Sequence, residues 1–119
     1  MDAIFGPSGL LAEKITFYEH RPEQNQMAKA VKDALARDRF LVVEAGTGTG
    51  KTLAYLIPAV LSGKRVVIST GTKTLQEQLF FKDVPLVQEQ LHLSFKAAFM
   101  KGRGNYLCWR RFRLLSRQP

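Results

Sequence analysis

Residues 44–52 read Glu-Ala-Gly-Thr-Gly-Thr-Gly-Lys-Thr and directly follow the apolar run Phe-Leu-Val-Val at positions 40–43. A short apolar strand, a glycine-rich turn, and then a lysine and a hydroxyl residue opening a helix form the organisation of a phosphate-binding loop. The three glycines allow backbone conformations and close approaches that a Cβ atom would block. The stretch therefore predicts a strand, a loop and a helix that together bind a triphosphate.

The loop residues have distinct expected roles. The backbone amides are expected to point at the phosphates, the Lys51 ammonium to contact the β- and γ-phosphates, and the Thr52 hydroxyl to ligate Mg²⁺. Lys51 and Thr52 are the predicted catalytic residues. The usual first glycine is replaced by Ala45, which is the mildest replacement and is expected to preserve the anion site. The alternative interpretation is a glycine-rich turn that binds nothing. The predicted phosphate-binding set is Ala45, Gly46, Thr47, Gly48, Thr49, Gly50, Lys51 and Thr52.

Apolar runs and helical periodicity alternate along the chain. This alternation is typical of parallel β-α units with right-handed crossovers. The sequence predicts an α/β fold with a parallel sheet, in which the loops after the strands share one edge. The predicted strands are residues 40–44, 65–69 and 95–100, and the predicted helices are residues 9–14, 23–37, 51–61, 73–81 and 86–91.

Size, charge and cysteine content limit the possible functions. At 119 residues the chain is at most one domain, and its single cysteine, Cys108, excludes an internal disulfide framework. No apolar run reaches the length of a membrane span and no secretory signal is present, so a cytoplasmic location is expected. The whole net charge of +8 comes from residues 61–119, which carry eleven Lys/Arg against three Asp/Glu. This asymmetry is consistent with a polyanionic partner or with a solvated basic face.

Four segments in order resemble the iron–sulfur superfamily 2 DNA helicases of the DinG/XPD type, in particular the bacterial DinG/YoaA branch. Residues 42–52 resemble motif I, and residues 21–27, which contain Arg-Pro-Glu-Gln, resemble the Q motif. Residues 66–79 resemble motif Ia. Residues 101–108, Lys-Gly-Arg-Gly-Asn-Tyr-Leu-Cys, resemble the start of the iron–sulfur domain.

The resemblance implies a RecA-like motor domain and a set of site residues. Residues 1–100 would be the N-terminal part of the first motor domain, and residues 101–119 the start of the iron–sulfur domain. Gln24 would hydrogen-bond the adenine edge, and Cys108 would be the first of four [4Fe–4S] ligands. Ser69, Thr70, Thr72 and Arg103 would contact DNA. Implied cofactors are ATP, Mg²⁺ and the cluster, and implied partners are single-stranded DNA and DNA junctions, with a monomeric protein.

Each of these assignments has a simpler alternative. Gln24 could be a surface residue, the Ser/Thr cluster could cap the next helix, and Cys108 could be an inert core thiol. The arginines and aromatic residues near the C-terminus suit single-strand binding, but they also suit a solvated helix.

The chain also departs from the family pattern. It has neither the second acidic motif nor further cluster cysteines nor a second motor domain. The expectation is therefore an ATP-binding N-terminal fragment of a 5′-to-3′ helicase that is inactive alone. The competing interpretations are another phosphate-loop NTPase or kinase, and a truncated, non-catalytic DNA-binding module.

Overall fold

The computed structural model describes residues 1–116. Residues 117–119, the last part of the stretch 101–119 that is predicted to begin an iron–sulfur domain, lie outside the described residues. The α-helices are α1 (Asp2–Phe5), α2 (Leu10–Lys14), α3 (Pro22–Ala36), α4 (Lys51–Leu61), α5 (Lys73–Gln78), α6 (Val84–Leu91) and α7 (Trp109–Leu115). A π-helical turn (Leu79–Asp83) joins α5 to α6, and a 3₁₀ turn (Arg103–Asn105) precedes α7.

The predicted α/β fold with a parallel sheet is wrong for this structure, because residues 1–116 contain helices and no β-strand. The three segments predicted as strands, residues 40–44, 65–69 and 95–100, carry no strand assignment. Phe40, Val42 and Val67 on these segments are almost fully exposed. The physical reason is that a helix satisfies its own backbone groups, whereas a strand needs a neighbouring strand. The shared sheet edge predicted for the loops is lost with the sheet.

The core joins the N-terminal segment to helices α3, α4 and α6. Phe5, Leu11, Ile57 and Val87 are essentially inaccessible to solvent. Burying a side chain of this size removes enough apolar surface to contribute about 1.5–3 kcal/mol. Residues 1–20 are therefore an integral part of the packed structure. The other buried apolar members of this core are Ala28, Ala54, Leu56, Leu79 and Val84.

Helix α4 carries the residues that follow the loop into the core. It has the bounds predicted from sequence and is not shortened by Pro58, which is buried inside it. Pro58 lacks an amide hydrogen, so its position in the helix costs one backbone hydrogen bond. At the end of the helix the Ser62 hydroxyl donates to the Ala59 carbonyl at 2.6 Å. Helices α3 and α4 make the most extensive contact in the structure.

The predicted helix 73–81 changes type partway along. Regular α-helix ends at Gln78, and the chain continues as the π-helical turn and then as α6, where Pro85 lies in the first turn. The extended segment before residue 101 lies against this part of the chain. Gln76 donates its side-chain amide to the Met100 carbonyl at 2.6 Å, and Lys101 pairs with Glu77 at 2.6 Å. The rings of Phe80, Phe81 and Phe99 pack with centroids 5.1–5.4 Å apart.

Candidate nucleotide-binding site

The glycine-rich loop is a solvent-accessible turn that ends at the N-terminus of α4. Gly48 and Gly50 have φ angles of +77° and +75°, the left-handed region that other L-residues rarely adopt. Empty space surrounds the Cβ position of Gly48, whereas a Cβ on Gly50 would collide with the Gln24 side chain. Gly48 is therefore needed for backbone conformation alone, whereas Gly50 is needed both for backbone conformation and for the close contact with Gln24.

Lys51 lies over the loop and contacts it directly. Its ammonium donates to the Ala45 carbonyl at 2.8 Å and also to the Gly46 carbonyl. The Thr49 hydroxyl donates to the same Gly46 carbonyl at 3.0 Å. A phosphate that occupied the loop would have to replace these carbonyls as the acceptor for Lys51. The Lys51 ammonium thus lies at the loop and is bonded to the loop's own carbonyls, and its predicted contact with the phosphates stays a prediction.

Thr52 lies one residue further into α4 and is partly buried. Burial raises the pKa of the neighbouring Tyr55 phenol, and a hydrogen bond with the Thr52 side chain partly opposes that effect. Burial also raises the pKa of Asp83, on the π-helical turn close to Tyr55. Within residues 1–116 no group of three or more His, Cys, Asp or Glu side chains could hold a metal ion.

Gln24 connects helix α3 to the loop. Its side chain is buried, and its amide nitrogen donates to the Gly50 carbonyl at 3.0 Å. The same carbonyl accepts the Ala54 amide hydrogen at 3.2 Å, which closes the first turn of α4. The surface alternative for Gln24 is therefore wrong. The structure brings Gln24 and the loop together, and the predicted contact of Gln24 with adenine stays a prediction.

Two residues that carried no prediction from the sequence lie next to Gln24 or behind it: Tyr18 contacts the Gln24 side chain, and His20 contacts the Phe5 carbonyl that Tyr18 also reaches. The Tyr18 hydroxyl lies 3.2 Å from both the Gln24 side-chain oxygen and the Phe5 carbonyl. The His20 Nδ1 atom lies 2.8 Å from the same Phe5 carbonyl. A sequence signal existed in these two polar ring residues, which stand shortly before Gln24 in a segment that otherwise looked irregular.

The hydroxyl residues after position 68 form a separate group. The Thr72 side chain accepts the Leu75 amide hydrogen at 3.2 Å and caps α5, so the capping alternative is confirmed for Thr72. The Thr70 hydroxyl donates to the Thr72 carbonyl at 3.0 Å, and Ser69 is exposed. In the described part of the chain no hydrogen bond or ion pair connects these residues to the glycine-rich loop.

The basic segment after residue 100 is almost entirely exposed. Arg103 opens the 3₁₀ turn, and Cys108 is a free, exposed thiol at the N-cap of α7, so an inert core thiol is excluded. On α7 the rings of Trp109 and Phe112 stack nearly parallel with centroids 5.2 Å apart. The guanidinium of Arg113 lies 5.9 Å from the centre of the Trp109 ring. No helix within residues 1–116 is long and apolar enough to cross a membrane.

Comparison with known proteins gives a consistent picture. The profile of the DEAD/DEAH box helicases matches residues 21–106. The chain is 51% identical over 107 residues to ATP-dependent DNA helicase YoaA of Escherichia coli (strain K12), covering 90% of this chain and 17% of that protein. It is 50% identical over 108 residues to ATP-dependent DNA helicase YoaA of Haemophilus influenzae, covering 91% of this chain and 17% of that protein.

A more distant relative is named for a different activity. The chain is 40% identical over 111 residues to the protein named 3'-5' exonuclease DinG of Bacillus subtilis (strain 168), covering 90% of this chain and 12% of that protein. No solved structure matches the chain. The chain thus spans about a sixth or less of the length of these relatives. The family match covers more than half of the chain and includes both Gln24 and the loop that Gln24 contacts, so this chain belongs to the DEAD/DEAH box helicase family.

Proposed function

We propose that this chain is the ATP-binding N-terminal part of a longer ATP-dependent DNA helicase that moves 5′-to-3′ along single-stranded DNA. The observation that carries the proposal is the glycine-rich loop, with Lys51 at the start of α4 and Gln24 fastened to the Gly50 carbonyl. In this proposal residues 1–100 belong to the first motor domain and residues 101–119 begin an iron–sulfur domain. The relatives named YoaA support it, since the chain aligns with them over nine-tenths of its length.

ATP binding would proceed by exchange of hydrogen-bond partners at the loop. Lys51 releases the Ala45 and Gly46 carbonyls and contacts the β- and γ-phosphates, where its charge offsets theirs. The loop amides and the positive end of α4 add further stabilisation of the anion. Thr52 would hold Mg²⁺, and the ion would supply positive charge to offset that of the phosphates. Residues 45–52 thus account for binding of the triphosphate.

The base would be recognised by Gln24. With one N–H donated to the Gly50 carbonyl and the oxygen next to the Tyr18 hydroxyl, the carboxamide keeps one free N–H and one free lone pair. Adenine presents the N6 donor and the N7 acceptor side by side, so the two remaining groups complement that edge. Gln24 is therefore proposed as the adenine contact.

Nucleic acid would bind through the motif Ia region and the basic segment. Ser69, Thr70 and Thr72 are proposed to contact phosphates of the tracked strand, and Arg103 to contribute charge. Thr72 can cap α5 and still present its second lone pair, so its structural role does not conflict with this one. Single-stranded DNA and DNA junctions are the proposed partners of a monomeric, cytoplasmic protein.

The described residues do not by themselves fit an iron–sulfur cluster. A [4Fe–4S] cluster takes four thiolates, and this chain has one cysteine, Cys108. Cys108 is exposed and therefore accessible to ligands from elsewhere. We propose it as the first of four ligands in the longer protein, and no step of ATP binding by this chain depends on the cluster.

The test measures nucleotide binding by the 119-residue chain and by its Lys51→Ala variant. The fluorescence of a labelled ATP reports the binding. We expect weak binding by the chain, loss of binding in the variant, and no hydrolysis by either with or without DNA. Absence of hydrolysis is expected because the sequence has no second acidic motif to position Mg²⁺ and water. ATP turnover by the chain that Lys51→Ala abolishes would contradict the inactive-fragment proposal, and equal binding by both proteins would contradict the site.

The helicase activity is tested on the full-length protein. Duplexes with a 5′ or a 3′ single-stranded tail separate the two polarities, and we expect unwinding of the 5′-tailed duplex alone. Unwinding that requires a 3′ tail would overturn the proposed direction but not the ATP site.

One observation favours a second candidate, a DNA-binding module without catalysis. Helix α7 presents stacked aromatic rings and exposed arginines, which suit single-strand binding by charge and stacking. Affinity for single-stranded DNA that falls steeply with salt and does not respond to ATP would favour this candidate.

A further inference from the structure

Tyr18 shares its hydroxyl between two oxygen atoms but has a single proton to donate. Both the Phe5 carbonyl and the Gln24 side-chain oxygen lie at 3.2 Å, and both can only accept. The Phe5 carbonyl has another donor, because the His20 Nδ1 atom at 2.8 Å must carry a proton to make that contact. The Tyr18 proton is therefore available to the Gln24 oxygen.

The opposite side of the Gln24 carboxamide is determined by the loop. The Gly50 carbonyl can only accept, so the nitrogen of Gln24 faces the loop and the oxygen faces Tyr18. If the carboxamide were flipped, its oxygen would face the Gly50 carbonyl oxygen with no proton between them. Its nitrogen would then face Tyr18 in place of the oxygen. The Gly50 carbonyl excludes the flipped orientation, and in the orientation that remains the Tyr18 hydroxyl adds a donor to the oxygen of this buried side chain. A phenol is protonated at neutral pH at its ordinary pKa, and burial raises the pKa of Tyr18 further.

We infer that Tyr18 is a positioning residue for nucleotide selectivity: by donating to Gln24 it keeps the carboxamide in the orientation that accepts from adenine N6 and donates to N7. This inference rests on the proposed function, because it assumes that Gln24 faces the base. Guanine presents two acceptors, O6 and N7, on the same edge. When the carboxamide is held in this orientation, its oxygen faces guanine O6 with no proton between the two oxygens. A carboxamide that is free to rotate discriminates less between adenine and guanine.

The experiment compares ATP and GTP as competitors of a labelled ATP on the 119-residue chain. Tyr18→Phe keeps the ring and removes the hydroxyl. We expect about three- to tenfold weaker ATP binding, the range of one net hydrogen bond, with GTP binding little changed. The ATP-to-GTP preference then falls by the same factor. A purely structural role would weaken both nucleotides alike, and that result would overturn the inference, as would an unchanged preference.

A double-mutant cycle shows whether Tyr18 acts through Gln24. In a Gln24→Ala background, the Tyr18→Phe change is expected to have no further effect on the preference. A full additional loss in that background would overturn the inference.

His20→Ala provides a second variant in case Tyr18→Phe does not fold. It leaves the Phe5 carbonyl without its histidine donor and so diverts part of the Tyr18 proton from Gln24. A smaller loss of preference in the same direction is expected, and no loss would contradict the inference.

Failure of the proposed function has a different signature. If the parent chain binds no nucleotide, or if Gln24→Ala leaves ATP binding unchanged while Lys51→Ala removes it, the proposed base contact is wrong, and this inference falls with it. If the parent binds ATP in preference to GTP, Gln24→Ala removes that preference and Tyr18→Phe does not alter it, the base contact stands and only the role of Tyr18 is wrong.

Discussion

The first 62 residues and the segment after residue 92 form two very different regions. The first region contains most of the buried core and the hydrogen bonds that join residues 1–20, α3 and the loop. From residue 93 to residue 116 no residue is buried, and on α7 the rings of Trp109 and Phe112 stack on each other. Apolar content is thus not what separates the regions, because Trp109, Phe112 and Leu114 are as apolar as the buried residues. The difference is whether a helix has a second element against which to pack.

Removing one large side chain from each region should show the largest contrast. Phe5→Ala deletes a fully buried ring, and we expect a loss of about 3–5 kcal/mol in the free energy of unfolding. Phe112→Ala, on exposed α7, is expected to cost well under 1 kcal/mol. Urea unfolding followed by circular dichroism measures both. Similar losses for the two variants would show that the second region has a packed core of its own.

The two positive-φ glycines of the loop separate backbone strain from packing. Gly48→Ala and Gly50→Ala both place a Cβ in the left-handed region, at a cost of about 1–3 kcal/mol each. Only the Gly50 variant also pushes against Gln24, so its loss in thermal stability should be the larger one. Gly104→Ala is the control, because nothing lies near the Cβ position of Gly104, and it should change the thermal stability little. Equal losses at positions 48 and 50 would show that Gln24 moves aside freely.

Charge removal should affect DNA binding in one region only. Arg110→Ala with Arg111→Ala is expected to reduce the slope of log affinity against log salt for single-stranded DNA by up to about 1.4, or 0.7 for each phosphate contact. Lys14→Ala with Lys32→Ala removes the same charge from exposed positions of the first region and should leave the slope unchanged. Salt titrations of a labelled oligonucleotide measure both slopes. Equal reductions would indicate a nonspecific response to net charge.

The smallest expected effect is a pH dependence of the N-terminal contacts. Hydrogen bonds from Lys29 and Asn25 lower the pKa of Asp2 from 3.8 to about 2. Because the folded pKa is the lower one, the contribution is present above about pH 4 and is lost as the pH falls through 2. Melting temperatures of the chain and of Asp2→Asn should therefore differ slightly at pH 5 and converge near pH 2. A constant difference over this range would exclude the Asp2 carboxylate as its source.

Local sequence signals predicted the helices well and the sheet wrongly. Helix 51–61 has the predicted bounds, and α2, α3 and α6 differ from their predictions by only one or two residues at an end. Helical hydrogen bonds are made within the segment, so local periodicity is enough to predict them. The runs at 40–44 and 65–69 have strand-like composition, but a strand forms only when another strand supplies its partners. The predicted helix 73–81 became partly π-helical, a change that its spacing did not indicate.

The sequence by itself determined which residues make up the candidate site and their order: Gln24 upstream, then a glycine-rich loop, then Lys51 and Thr52. These residues can be identified because phosphate binding uses backbone amides and neighbouring side chains within one short segment. Only the tertiary structure decided that Gln24 is buried against Gly50 and held by Tyr18, with His20 and Phe5 behind them. Those contacts join residues 6 to 26 positions apart, and which distant side chains meet depends on how α3 and α4 pack against the N-terminal segment.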